Sequence, residues 1–175
     1  MITPSNGPFS AEWEALVGKA IIRFGDIELA LSKCLALIPQ DALGNGVLRM
    51  EFTRRADLLI AILEGRSERG PHLDEILRCV KTAQGFAKTR NLIAHNPVML
   101  DIYALGEENE DGELEHFAEH TIRSARDSGP HLTLESLKEF AASVEGLAAQ
   151  FWMALLKFAG TSEHLWRVHA SKKPQ

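Results

Sequence analysis

The 175-residue chain has only two cysteines and one tyrosine, and it carries no surplus of positive charge. Each absence narrows the field. Two cysteines, Cys34 and Cys79, cannot build a disulfide framework. Both fall among apolar residues in helical patterns, so they are expected as buried, reduced thiols. No apolar stretch approaches the roughly 20 residues that span a bilayer. The segment Met1 to Asn6 has no basic region followed by an apolar one, so no signal peptide is expected and the chain reads as cytoplasmic. A formal net charge of −5 excludes a generally basic nucleic-acid binder. There is no Gly-rich phosphate loop, no His-Glu-x-x-His, no Cys-x-x-Cys and no Gly-x-Ser-x-Gly. His116 and His120 have the i, i+4 spacing of a helical metal pair. They lie in a run with strand alternation, however, where four residues span about 13 Å. Neither a metal site nor a cofactor is therefore expected.

What remains is a mainly helical pattern in a chain of 45% apolar and 25% charged residues, read as one domain over 1–175. Trp13, Leu16, Ala20, Phe24, Ile27, Leu31, Cys34, Leu35 and Ile38 recur at three- and four-residue intervals. They predict a long first helix, capped by Ser10 and ended by Pro39. A second helix is expected from Val47 to Glu64, and a third from Pro71 to His95, stopped by Pro97. Ala83, Ala87 and Ala94 on the third helix would let another helix approach closely. The period then shifts to two. Val98, Leu100, Ile102 and Ala104 alternate with Met99, Asp101, Tyr103 and Leu105, and a second alternating run covers 114–123. These predict a β-hairpin over 98–123. A last helix begins after Thr133, with Gly160 as its C-cap and a loose basic tail over 161–175. The architecture expected is an antiparallel helical bundle with an inserted hairpin.

Charge is unevenly placed. Glu107, Glu108, Glu110, Asp111, Glu113 and Glu115 crowd the hairpin turn and leave the rest of the chain close to neutral. Arg54, Arg55, Arg78, Lys81, Lys88 and Arg90 all lie on the second and third helices, where they could form a local positive surface or simply a solvated face.

The end of the third helix concentrates the chemistry. Asn91 and His95 are four apart and share a helix face. Arg90 lies about 140° around the helix from His95, although its long side chain can curl back. Two readings stand. Arg90 could pair with an acid, Asn91 cap a carbonyl, and His95 close the helix at the negative end of its dipole. Alternatively, the three could form one reactive set. Glu28 bears on this, because it sits within the apolar stripe of the first helix and a buried carboxylate needs a partner. Arg90 is the best-placed cation if the first and third helices pack together, with Arg54 and Arg55 as competitors.

Arg90-Asn91-x-x-x-His95 on a helix of a small helical protein resembles the signature of HEPN (higher eukaryotes and prokaryotes nucleotide-binding) domains. The resemblance covers about 10–96 and 133–160, with the hairpin as an insertion. It implies a homodimer, with the third helices near the two-fold axis, acting as a metal-independent endoribonuclease of toxin or phage-defence type. His95 would be the general base or acid at a ribose 2′-OH, Arg90 would stabilise the phosphorane, and Asn91 would position His95 or the phosphate. Glu28 and Lys88 would support the set. RNA and an antitoxin protein are the partners implied. Toxin members often carry Tyr two residues after the His, where this chain has Pro97. A non-catalytic module binding nucleotide, RNA or a protein is the other class open to the chain.

Overall fold

The computed structural model describes residues 8–38, 46–67, 70–108, 114–124 and 131–170, and of 8–10, 48, 103–108, 114–117 and 161–170 it describes the backbone only. The acidic turn therefore lies largely outside the described residues. Four α-helices and three strands are found there: α1 (Pro8–Ala36), α2 (Phe52–Glu64), α3 (Pro71–His95), β1 (Val98–Glu108), β2 (Leu114–Ile122), β3 (Leu132–Thr133) and α4 (Leu134–Ala170). The fold is mainly helical, with a small antiparallel sheet. No described helix is long and apolar enough to cross a membrane.

Several expected boundaries shift, each for a local reason. α1 begins at Pro8 rather than after a Ser10 cap, as suits a residue whose missing N–H is unneeded in the first turn. Residues Val47–Arg49 form a single 3₁₀ turn. Met50 is then extended, at φ −70° and ψ 153°, so the second helix starts only at Phe52. α4 passes through Gly160 to Ala170. Gly160 is thus helical, not a left-handed cap, and the expected loose tail is helical as far as Ala170. Thr133 caps α4 as its position before Leu134 requires: its Oγ1 accepts the Ser136 N–H at 3.2 Å.

The chain divides into two compact units, Met1–Ile21 with Lys88–Ala142, and Ile22–Ala87 with Ser143–Gln175. In the first, β1 pairs antiparallel with β2, Val98 opposite Ile122 and Ala104 opposite His116, and the register shifts before Glu108 meets Leu114. The short β3 adds to the far side of β2, pairing Thr121 with Thr133. The sheet order is β1-β2-β3, which leaves β1 as an edge. Period two identified the strands but not their inner face. Asp101 is buried, while Leu100 and Ile102 are 43% and 64% exposed.

In the second unit all four helices contribute to the core, with Phe24, Ile27, Leu31, Leu59, Ile76, Val80, Val144 and Phe151 almost fully enclosed. The Phe24 and Phe52 rings meet edge to face at 5.0 Å. Contacts along α1 and α2 advance in the same sense, Phe24 with Phe52 and then Glu28 with Arg55. These two helices therefore run in the same direction. α2 and α3 run in opposite directions, since Asp57 meets Gln84 and Glu64 meets Lys81. The bundle is therefore not antiparallel throughout.

Candidate functional site

The residues singled out at the end of α3 are placed by the way that helix stops. Pro97 disfavours helical geometry in the residue before it, and α3 ends at His95. Its last turn leaves carbonyls without intrahelical partners. Asn96 satisfies one of them, donating from Nδ2 to the Leu92 carbonyl at 2.9 Å. Asn91 is therefore not the cap. Its Oδ1 instead accepts a hydrogen bond from Arg90 Nη1 at 2.9 Å. The Arg90 Nε is buried, whereas the hydrogen bond to Asn91 lies at the surface. His95 is exposed as the final residue of the helix. Lys88 is exposed two residues before Arg90. All four belong to the first unit.

Glu28 belongs to the second unit. It is half-buried, and its Oε2 lies 3.3 Å from Arg55 Nη2. Arg55, one of the competitors that the sequence allowed, is thus the cation found on Glu28 within this unit. Its Nη1 also donates to the Ser32 hydroxyl, which in turn donates to the Glu28 carbonyl at 2.9 Å. Arg55 is only 8% exposed, the one buried Lys or Arg among the described residues. Its long stem is withdrawn from water with the guanidinium, so it adds packing as well as charge.

These pairings thin the positive surface. Arg78 holds Glu75 at 2.6 Å and also reaches Gln150. That contact keeps the Glu75 carboxyl below the usual carboxylate range. Lys81 lies 2.6 Å from Glu64. Arg54 and Lys88 are exposed. Arg55, Arg78 and Lys81 are thus matched by carboxylates.

Both cysteines are free and buried. Cys34 lines an apolar cavity with Leu59, Leu63, Ile76 and Phe158. Burial pushes its thiol up to about 12 and that of Cys79 up to about 11, so neither suits nucleophilic chemistry near neutral pH. His116 and His120 both lie on β2, as their alternation indicated. Among the described residues, no three His, Cys, Asp or Glu side chains gather as a metal site would need.

One polar cluster was not singled out from sequence. Asp101 is 7% exposed and accepts from the Thr121 hydroxyl through Oδ2 at 2.5 Å, while Arg123 Nη2 approaches Oδ1 at 2.8 Å. The available signal was an acid placed mid-strand in β1 rather than in a turn.

No family model, curated protein or solved structure matches this chain closely enough to place it in a family.

Proposed function

We propose that the chain is a metal-independent endoribonuclease of HEPN type. The observation that carries this reading is the surface set at the end of α3, where Arg90 is tied to Asn91 and His95 is exposed within the same two turns. In this reading His95 takes the proton from a ribose 2′-OH, a role worth about 10²–10⁴ in rate. The 2′-oxygen attacks the adjacent phosphorus and the 5′-oxygen leaves, giving a 2′,3′-cyclic phosphate end. Arg90 stabilises the charge that builds on the phosphorane. Asn91 holds the Arg90 guanidinium in place and so positions it for that task, and exposed Lys88 adds positive charge beside the strand being cut. The protein would act as a homodimer on RNA, with an antitoxin protein as a regulating partner.

The test is cleavage of a mixed RNA pool by the purified chain in the presence of EDTA, compared with His95→Ala. Cleavage with cyclic phosphate ends that vanishes in the variant is the expected result. Cleavage that persists in His95→Ala overturns the mechanism.

A second reading, a non-catalytic module that binds nucleotide, RNA or a protein, draws on the pairing of Arg55, Arg78 and Lys81 with carboxylates. That pairing leaves less positive charge for steering RNA to the site. RNA left intact at high protein concentration, yet retained on the chain, would favour this module.

A further inference from the structure

The first unit holds a cation that the nuclease reading leaves idle. Arg123 follows directly on β2, and its Nη2 lies 2.8 Å from Asp101 Oδ1. The two side chains differ in exposure, 8% for Asp101 and 43% for Arg123. Asp101 is also anchored through its other oxygen, because the fully buried Thr121 donates to Oδ2. A carboxylate held in this way fixes the arginine it binds. The guanidinium has five N–H donors in a rigid plane, and one oxygen of Asp101 does not use them up. The remaining donors are aimed in advance and reach the surface, as binding a phosphate requires.

Strand register places this arginine beside the end of α3. Val98 pairs with Ile122, and Ile122 pairs with Leu132. One step further along the same rows, Arg123 falls between Pro97 and His131, just past the last helical residue, His95. Two residues of chain and one strand spacing separate the Cα atoms of His95 and Arg123, about 13 Å at most. Lys88, Arg90, Asn91, His95, Arg123 and His131 all belong to this unit, and Lys88, His95 and His131 are exposed.

Charge along the sheet points the same way. Glu107, Glu108 and Glu115 occupy the opposite end of the ladder, where Glu108 pairs with Leu114. β1 has 11 residues, about 35 Å of strand, so these acids are far from Arg123. A polyanion is therefore repelled from the turn and drawn to the α3 end. One acid opposes it there: Glu119, which pairs with Asp101 across the ladder.

We propose that Arg123, aimed by Asp101, is a further phosphate contact for the RNA strand that lies on His95. The strand then leaves the end of α3 across the near end of the sheet. Asp101 acts through Arg123 and is a positioning residue. The proposal takes the identity of the strand from the nuclease reading, but its test is binding, which does not require cleavage.

Fluorescence anisotropy with a labelled single-stranded RNA of mixed sequence, in EDTA and on the His95→Ala background, measures the contact without cutting. Adding Arg123→Ala should weaken binding about fivefold, alike for all sequences. It should also lower the log–log salt slope by about 0.7, the share of one phosphate on a single strand. Arg123→Lys keeps the charge, so the slope should stay while affinity falls about threefold for want of the planar fork. Glu119→Gln should tighten binding about twofold by removing the opposing acid. An ion pair that only holds the sheet together moves none of these readings in a folded variant. Should Arg123→Ala fail to fold, the Lys and Gln variants carry the test. A His95→Ala chain that binds no RNA, or folded variants with unchanged affinity and slope, overturn the proposal. Wild-type cleavage whose KM is untouched by Arg123→Ala removes Arg123 and leaves the nuclease standing. RNA held through Arg123 but never cut by the wild type does the reverse.

Discussion

Arg55 of α2 binds Glu28 of α1 across 3.3 Å, and both side chains are largely withdrawn from water, at 10% and 25% exposure. The pair lies at the contact of two helices that run in the same direction, beside the Phe24–Phe52 ring contact. Removing Glu28 leaves a buried guanidinium short of its acceptor. Glu28→Ala should cost about 1–3 kcal/mol. That is less than the ~3–5 kcal/mol of a fully enclosed pair, because water still reaches the carboxylate. Arg55→Ala should cost more, since the packed stem is lost with the charge. Urea midpoints measure both, and an unchanged midpoint in Glu28→Ala would mean that the ion pair is merely a solvated contact.

Asp101 anchors the sheet in the same manner. Thr121 is fully buried and its hydroxyl donates to Asp101. Asp101→Ala should destabilise the protein by about 1–3 kcal/mol, and Asp101→Asn by less, since an acceptor remains for Thr121. Hydrogen exchange should speed up along the β1–β2 ladder in Asp101→Ala. Protection confined to its wild-type level there would contradict the role assigned to this carboxylate.

The two thiols predict an alkaline weakness. Burial raises Cys34 to about 12 and Cys79 to about 11, from an ordinary value of 9.0. The folded chain keeps protons that the unfolded chain releases, so this contribution is complete below about pH 9 and is lost as pH rises toward 11–12. The urea midpoint should therefore fall between pH 8 and pH 10.5, and fall less in a Cys34→Ala variant. An aromatic disulfide reagent at pH 8 should label neither thiol until the chain unfolds. Rapid labelling of the folded chain would show that the thiols are reachable.

The Arg90–Asn91 hydrogen bond separates positioning from chemistry. If the chain cuts RNA, Asn91→Ala should lower kcat/KM by about tenfold, roughly the 1.4 kcal/mol of one positioning hydrogen bond. His95→Ala should abolish cleavage. Lys88→Ala should mainly raise KM and flatten the dependence on salt. An Asn91→Ala enzyme with wild-type kcat/KM would remove Asn91 from the site.

Much of the secondary structure was legible because it depends on local repeats. A 3.6-residue period needs only the chain itself, so α1, α2 and α3 could be read from Phe24, Leu59 or Val80 and their spaced neighbours, and alternation around Asp101 announced a strand. Where no repeat exists, nothing was visible: the two-residue β3 has no period. Gly160 looked like a stop because glycine often ends helices, yet the residues beyond it continue α4 to Ala170. The candidate site was legible as a set of residue types. Its hydrogen bonding was not: Asn91, the cap the sequence offered, accepts from Arg90 instead, and Asn96 takes the Leu92 carbonyl.

The chain's own order thus determined which segments are helices, where prolines stop them, and which residues share a helix face. Tertiary structure alone decided what each face meets. Glu28 could have met any of three arginines, and only the same-direction packing of α1 and α2 set Arg55 against it. Alternation left open which row of β1 faces inward, and the sheet turned Asp101 inward and bound it to Thr121 and Arg123. Periodicity is a property of one element, whereas burial and pairing belong to contacts between residues far apart in sequence.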